Sequence, residues 1–229
     1  DLARRAVSLK GLKSERVSWV KPSISSLVAL DKVHAPTKGL FEGLPHGFKV
    51  LLLSTYNPNK NIELLPHIAK ALNDRDSHND VTFVITLPPT SENLVRIILA
   101  AQELGVENRI VNVGPVQHEG CSEAYRACDL VILPSQLERF SNTIAEAWTM
   151  QKPLLISDMD WARSLCGTGA AYFKYRNPES AAEQILHLRH DTTYYSRLVA
   201  EGERMLGTYP TAIDRFKQYL SIIEQHTPH

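Results

Sequence analysis

The chain has 229 residues, of which 43% are hydrophobic and 22% are charged, the composition of an ordinary folded protein that can bury a substantial core. Lysine plus arginine and aspartate plus glutamate each number 25, so the formal net charge is zero. This balance argues against nucleic acid or an acidic membrane as the main partner, and any recognition of an anion has to be local.

The three cysteines bear on the compartment and on metal binding. Cys121, Cys128 and Cys166 form no Cys-x-x-Cys pair and have no histidine at metal-ligand spacing. We therefore expect reduced thiols, no metal site and a cytoplasmic protein. No apolar run approaches the length of a membrane span and no signal peptide opens the chain, so we predict no transmembrane segment. The first residue, Asp1, is not methionine, which suggests a fragment or a processed product.

Residues 1–47 are predicted to form a lead-in or linker segment, because proline and glycine recur through its second half. The segment contains one short strand candidate, Val17–Val20, which could add a strand to a neighbouring sheet. The remainder, residues 48–229, is predicted to be one domain that ends in helices.

From residue 48 onward, continuous apolar runs bounded by turns alternate with helical patterns. Such runs predict strands at Phe48–Leu53, Val81–Leu87, Ile110–Gly114, Asp129–Pro134, Leu154–Ser157 and Ala170–Tyr175. Periodic segments predict helices at Ile62–Asn73, Glu92–Leu104, Glu119–Ala127, Thr143–Met150, Glu179–His190, Thr192–Leu206 and Ile213–Gln225. This alternation is typical of a parallel sheet covered on both faces, so we predict an α/β fold with a doubly wound, mostly parallel, Rossmann-like sheet.

The most informative window follows the predicted strand at Asp129–Pro134. Two carboxylates, Glu138 and Glu146, lie beyond the buried run, one in a polar loop and one inside the next helix. Ser141 or Asn142 is placed to cap that helix, whose first N–H groups form a natural site for an anion. The two glutamates are therefore expected near one phosphate-sized site.

This window resembles the nucleotide-binding half of retaining glycosyltransferases of the GT-B type, in particular family 4. That family reads Glu-x-Phe-Gly and then Glu-Ala-Met-Ala-x-Gly-x-Pro, where this chain has Glu138-Arg139-Phe140-Ser141 and then Glu146-Ala147-Trp148-Thr149-Met150-Gln151-Lys152-Pro153. The resemblance implies that Glu138 contacts the donor sugar and that Glu146 holds the nucleotide ribose. It also implies that backbone amides cradle the diphosphate and the sugar at Phe140, Ser141, Asn142 and Thr143.

Two further loops carry the resemblance. Lys60 matches the lysine that contacts the diphosphate in the family, whereas Thr55 stands where the family usually has arginine. Arg139 or another domain would then have to supply a second cation. Gly114 and Val116 match a Gly-x-Val segment whose backbone meets the base, although a simple strand-ending turn explains Gly-Pro there equally well.

Three more positions depart from the family pattern. Ser141 and Gln151 both replace glycines, and a Cβ at Ser141 is expected to narrow the approach of the backbone to the donor. Arg163 falls near the place where the family usually has an acidic residue.

The resemblance implies that this chain is one half of a GT-B architecture, without the N-terminal domain that binds the acceptor. We predict the donor-binding domain of a retaining glycosyltransferase, with Glu138 and Lys60 as catalytic residues. A nucleoside-diphosphate sugar is the expected donor, and no cofactor or metal is expected. Attachment to the membrane surface through the other domain is left open.

Two alternatives stay open. A non-catalytic nucleotide-sugar binding module is suggested by Thr55, Ser141 and Gln151 at three usually diagnostic places. A sugar-nucleotide epimerase of the GT-B type would need an acid–base pair, and this sequence shows no convincing one.

Overall fold

The computed structural model describes Ser18, Val20 and residues 39–138 and 141–226. Its centre is a six-stranded, fully parallel sheet in the order β3-β2-β1-β4-β5-β6. The strands are β1 Lys49–Leu52, β2 Thr82–Ile85, β3 Ile110–Asn112, β4 Leu130–Leu133, β5 Leu154–Ser157 and β6 Ala171–Phe173.

The central strands are buried on both faces, as their continuous apolar sequences require. Every residue of β2, β4 and β5 is buried, although successive side chains point to opposite sides of the sheet. Val50 of β1 pairs with Phe83 of β2 on one side and with Leu130 of β4 on the other. The sheet is therefore the middle layer of an α/β/α arrangement.

Within the described residues, eight α-helices alternate with the strands or follow them along the chain. They are α1 Leu64–Arg75, α2 Glu92–Glu103, α3 Cys121–Ala127, α4 Asn142–Thr149, α5 Asp160–Cys166, α6 Pro178–His190, α7 Thr192–Leu206 and α8 Ala212–His226. Helix α6 packs against α1 and α7, and α4 packs against α7. The start of α6 follows ordinary helix chemistry, since Asn177 caps it by accepting from Ser180 N–H and Pro178 occupies the first turn.

The predicted fold class is confirmed. All six predicted strands and all seven predicted helices are present, and no end differs from the prediction by more than two residues. Helix α5 was not predicted. It is only seven residues long and begins at Asp160, inside a stretch that lacks a clear apolar period.

The strand order places a crevice between β1 and β4. From β1 the chain continues outward to β2 and β3, whereas β4 leads in the opposite direction to β5 and β6. The loops after β1 and β4 therefore diverge at the carboxyl edge of the sheet. Ligands of open α/β sheets bind at this kind of switch point.

The chain divides into two compact units, residues 27–206 and residues 1–26 together with 207–229. The larger unit contains the sheet and helices α1 to α7. In the smaller unit, α8 carries exposed apolar side chains at Ile213, Phe216 and Ile223. Among the residues that the structure describes, no helix is long and apolar enough to cross a membrane.

The predicted strand Val17–Val20 lies mostly outside the described residues, and neither Ser18 nor Val20 belongs to a strand. The predicted boundary between a lead-in segment and a domain at residue 48 stays a prediction.

Candidate functional site

The loop after β1 is shaped by a short 3-10 turn, Pro58–Lys60. Asn57 caps this turn by accepting a hydrogen bond from the N–H of Asn59, and Pro58 supplies a fixed φ in the first position. Asn61 ends the turn in the left-handed region at φ 51°, a conformation that asparagine tolerates well. This local geometry fixes the position of Lys60 at the carboxyl edge of the sheet.

Lys60 contacts Glu138, which lies in the loop after β4. The Nζ atom of Lys60 is 2.5 Å from Oε1 of Glu138, and the two side chains are only 21% and 10% exposed. The hydroxyl of Ser135, a fully buried residue, donates to the same carboxylate oxygen at 2.8 Å. The structure therefore brings together the two residues that the sequence singled out as catalytic.

Backbone groups tie these loops to each other. The N–H of Gln136 donates to the carbonyl of Asn59 at 2.8 Å, which joins the β4 loop to the β1 loop. The carbonyl of Gln136 accepts from the indole Nε1–H of Trp161 at 2.8 Å. Trp161 belongs to α5, so the helix that was not predicted supports the β4 loop beside Glu138.

Helix α4 begins at the same edge. Ser141 occupies the N-cap position in an extended conformation, with φ −99° and ψ 119°, and its side chain makes no capping hydrogen bond to the described residues. Ser141 and Thr143 are buried, whereas Asn142 is exposed. Of the two predicted capping residues, Ser141 holds the cap position and Asn142 is the first helical residue.

Glu146 lies one turn into α4 and is 7% exposed. Its Oε2 atom accepts a hydrogen bond of 2.6 Å from the hydroxyl of Tyr125 in α3. Burial raises the pKa of Tyr125 well above its usual value, and the Glu146 carboxylate raises it further. The phenol therefore keeps its proton and acts as a donor to Glu146.

The loop after β3 contains Gly114. It has φ 81°, a region that favours glycine, and a Cβ at this position would meet nothing within 4 Å. The positive φ of the backbone, and not a lack of room for a side chain, therefore explains why glycine occupies position 114. Asn112 organises the start of this loop, because its side-chain amide exchanges two hydrogen bonds of 2.9 Å with the backbone of Leu87. Val116 is half-buried in the same loop.

Two of the departures from the family pattern have different structural consequences. Ser141 has negative φ, so the backbone there does not require glycine. Gln151, in contrast, has φ 54° at the end of α4. The N–H of Gln151 donates to the carbonyl of Trp148, and the N–H of Lys152 donates to the carbonyl of Ala147. This is the hydrogen-bond pattern of a Schellman cap, in which glycine is the favoured residue at the position of Gln151.

Arg163 is paired within its own segment. Its guanidinium donates to both carboxylate oxygens of Asp158, at 2.7 and 2.9 Å. It also lies 3.8 Å from the centre of the Tyr172 ring. The pKa of Asp158 is lowered, with the hydrogen bond from Arg163 as the largest cause. The pair joins the end of β5 to α5.

The three cysteines are free thiols. Burial is the largest cause that raises the pKa of Cys121 to about 11 and those of Cys128 and Cys166 to about 12. Within residues 39–138 and 141–226, no three side chains of histidine, cysteine, aspartate or glutamate are grouped so as to hold a metal ion. The expectation that no metal is needed stays a prediction.

The fold matches solved glycosyltransferases of the GT-B type. A glycosyltransferase from Rickettsia africae aligns with a TM-score of 0.77 over 98% of this chain and 61% of its own, at 12% identity. A mutant of S. aureus TarM in complex with UDP, fondaparinux and α-GlcNAc-glycerol aligns with a TM-score of 0.72 over 97% of this chain and 42% of its own, at 17% identity. The described sheet and helices thus form a Rossmann-like domain with the fold found in GT-B glycosyltransferases.

The chain belongs to the family of glycosyl transferases group 1, whose model matches residues 43–205. A relative, the D-inositol 3-phosphate glycosyltransferase of Nocardia farcinica, is 29% identical over 185 residues. That match covers 78% of this chain and 40% of the relative, so the chain spans well under half of the relative's length. The resemblance drawn from the sequence is thus confirmed at the level of the family.

The structure places most of the predicted site residues around the carboxyl edge of the sheet. Lys60 and Glu138 are in contact, and Glu146 lies in the helix that follows the β4 loop. The predicted binding residue Phe140 and its neighbour Arg139 lie outside the described residues. The individual roles of the predicted residues stay predictions.

Four supporting residues were missed at the sequence level, namely Tyr125, Ser135, Asn112 and Trp161. Ser135 and Asn112 follow or end strands at the carboxyl edge, a position that could have drawn attention to them. Tyr125 and Trp161 gave no such signal, because their hydrogen bonds depend on tertiary packing.

Proposed function

We propose that this chain is the donor-binding domain of a retaining glycosyltransferase that uses a nucleoside-diphosphate sugar. The observation that carries this proposal is the Lys60–Glu138 pair at the switch point of the sheet, beside the start of α4. A cation for a diphosphate and a carboxylate for sugar hydroxyls stand side by side there. UDP in the complex of the structurally similar TarM supports a nucleotide as the ligand.

In this proposal, positive charge stabilises the departing diphosphate. Lys60 supplies a point charge, and the first N–H groups of α4 supply an anion site at the positive end of the helix dipole. Such preorganised groups stabilise charge that develops as the sugar leaves. A metal is not required by this scheme, although a single lysine lacks the two-pronged grip of arginine.

The two glutamates have separate tasks. Glu138 accepts hydrogen bonds from hydroxyls of the donor sugar, and Glu146 accepts them from the ribose, since an ionised carboxylate is an acceptor that suits vicinal hydroxyls. No protein nucleophile is proposed, and the acceptor attacks from the face that the diphosphate leaves. Transfer by the whole protein also needs a bound acceptor, so this chain alone is expected to bind donor and to transfer little sugar.

Calorimetric titration with UDP, GDP and ADP tests the proposal directly. We expect one of the three to bind, and Glu146→Ala to weaken that binding at least tenfold because a ribose contact to a charged acceptor is lost. Glu183→Ala, on the exposed face of α6, is the matched control and should bind as the parent does. If the parent binds none of the three, or if Glu146→Ala binds equally well, the site assignment is wrong.

A binding module without catalysis is separated from an enzyme by a second assay. A transferase site is expected to release free sugar slowly from the donor with water as the acceptor, and Lys60→Met should abolish that release. Binding of the donor without any release, in a preparation that contains the acceptor-binding part, would favour the module instead.

A further inference from the structure

A buried hydrogen bond joins helix α3 to α4, and it involves Glu146, the residue predicted to bind the ribose. Tyr125 is fully buried, and its hydroxyl lies 2.6 Å from Oε2 of Glu146. The other carboxylate oxygen, Oε1, receives no hydrogen bond from the residues that the structure describes. Within the described residues, the carboxylate is therefore held through Oε2.

We propose that Tyr125 is a positioning residue for nucleotide recognition, which occupies Oε2 of Glu146 and thereby presents Oε1 to the ribose hydroxyls. This inference rests on the proposed function, because it assigns a task to Tyr125 only if Glu146 binds ribose. Tyr125 itself touches no substrate in this scheme.

A tyrosine is well suited to this task. The ring is anchored by complete burial, so the hydroxyl has a fixed position, and the side chain has few rotatable bonds to order. A hydrogen bond from a neutral hydroxyl to an ionised carboxylate is short and strong compared with one between neutral groups. Glu146, in contrast, has a flexible side chain whose orientation would otherwise have to be fixed when the nucleotide binds.

The surroundings of the pair strengthen this assignment. A side-chain interaction with Thr143, one turn before Glu146 in α4, lowers the pKa of Tyr125 and so partly offsets the rise that burial and Glu146 cause. The charge of Glu146 contributes to the raised pKa of Cys121, which begins α3 one turn before Tyr125. Cys121 and Tyr125 of α3 thus both lie near the carboxylate of Glu146, and Tyr125 supplies the hydrogen bond.

The contact also joins two helices that flank β4. Helix α3 precedes that strand and α4 follows it after the loop that carries Glu138. Removal of the hydroxyl leaves this packing intact, because phenylalanine fills the same volume. The predicted loss is therefore one of carboxylate orientation rather than of fold.

The test compares ribose recognition in variants of the intact chain. Calorimetry measures the affinities for UDP, GDP and ADP and for the 2′,3′-dideoxy form of each, in the parent, Tyr125→Phe, Glu146→Gln and Tyr195→Phe. Tyr195→Phe is the matched control, because it removes a half-buried hydroxyl that donates to the carbonyl of Asp129 at 2.8 Å. That bond lies at the start of β4, at the opposite edge of the sheet from the site.

We expect the parent to prefer the ribose form of its nucleotide by roughly tenfold or more, the effect of hydrogen bonds to a charged acceptor. Tyr125→Phe should lose most of that preference through weaker binding of the ribose form, with the dideoxy affinity unchanged. Tyr195→Phe should keep the preference of the parent. The ratio compares two ligands on one protein, so it does not depend on the folded fraction of a variant.

Each other result overturns a defined part of the argument. A parent that binds no nucleotide, or whose preference survives in Glu146→Gln, overturns the proposed function and this inference with it. A ribose preference that falls in Glu146→Gln but persists in Tyr125→Phe overturns the role of Tyr125 alone. Equal weakening of the ribose and dideoxy forms in Tyr125→Phe also overturns it, because the hydroxyl would then serve the fold.

Discussion

Nζ of Lys60 lies 2.5 Å from Oε1 of Glu138. The residue proposed to bind the diphosphate and the residue proposed to bind the sugar therefore neutralise each other's charge across the switch point. The contact spans 78 residues of sequence and joins the loops after β1 and β4. The proposed function requires a donor to draw Lys60 toward its phosphates and to leave Glu138 to its hydroxyls. Under this proposal, the ion pair competes with the donor for both side chains.

Glu138→Gln should bind a nucleoside diphosphate more tightly than the parent, by about two- to tenfold. The neutral amide competes less for Lys60, whose charge then becomes available to the phosphates. Calorimetry with UDP, GDP and ADP measures the change, and Glu183→Gln on the exposed face of α6 is the control. Release of sugar from the intact donor should fall in the same variant, since the sugar hydroxyls lose their charged acceptor. A weaker diphosphate complex would mean that Glu138 supports Lys60 instead of competing with it.

Lys60→Met should reduce the free energy of unfolding by about 1–3 kcal/mol. The substitution leaves the carboxylate of Glu138 mostly buried beside Ser135 without its cation, and part of that cost is relieved by residual exposure. The double variant Lys60→Met with Glu138→Gln should recover most of the loss. Urea unfolding of the four proteins in this cycle gives the coupling energy. Additive losses would show that the pair contributes no coupling to stability.

Gly202→Ala should destabilise the domain by about 2–4 kcal/mol, because overpacking in a dense core forces shifts of side chains or backbone. A Cβ at Gly202 of α7 would lie 2.4 Å from Cδ1 of Trp148 in α4, and that ring is fixed by a hydrogen bond from Nε1 to the carbonyl of Gly169. Ser196→Ala on the exposed face of α7 is the control for helix propensity. In a Trp148→Met background the same Gly202→Ala change should cost much less. Equal cost in both backgrounds would rule out the indole as the cause.

Gln151→Gly should stabilise the domain by roughly 0.5–1 kcal/mol. The left-handed conformation at φ 54° is strained for a residue with a Cβ, and the relief exceeds the extra freedom that glycine gains in the unfolded chain. Gln151→Ala keeps the Cβ and should leave the midpoint of urea unfolding nearly unchanged. If glycine lowers the midpoint, the entropy of the unfolded chain outweighs the strain.

The thiols should react slowly in the native protein and make stability fall at high pH. The pKa of Cys128 is raised to about 12 from a usual value of 9.0, so the folded state favours the protonated thiol. The stabilisation is fully present below pH 9 and is lost as the pH rises from about 9 through about 12. Titration with a chromogenic disulfide at pH 8, with and without urea, should show rapid reaction only after unfolding. Rapid reaction of Cys128 and Cys166 in the native protein would contradict their burial.

Much of the fold could be predicted from the sequence because its strands are buried on both faces. A run such as Leu130–Leu133 is apolar at every position, and polar loops mark both of its ends. Helix α5 could not be recognised in this way, since Asp160–Cys166 lies in a stretch without a clear apolar period. Its place is set by packing and by the bond from Trp161 to the β4 loop.

The candidate site was predictable where its residues follow strands. Lys60 and Glu138 lie in the loops that follow β1 and β4, so parallel pairing of these strands brings them to one edge of the sheet. Tyr125 was not predictable, because its helix gives no sign of which residue of α4 its hydroxyl meets. The same limit applies to Trp148 and Gly202, whose contact depends on the crossing of α4 and α7.

Gln136 holds two loops together with its peptide groups alone, while its side chain is exposed. Any amino acid except proline offers the same N–H and carbonyl, so these two hydrogen bonds impose almost no constraint on the residue type at position 136. The amino acid at position 136 can therefore change during evolution while the loops after β1 and β4 keep their relative position. Part of what determines the structure of this domain is therefore backbone hydrogen bonding, which a comparison of sequences cannot detect.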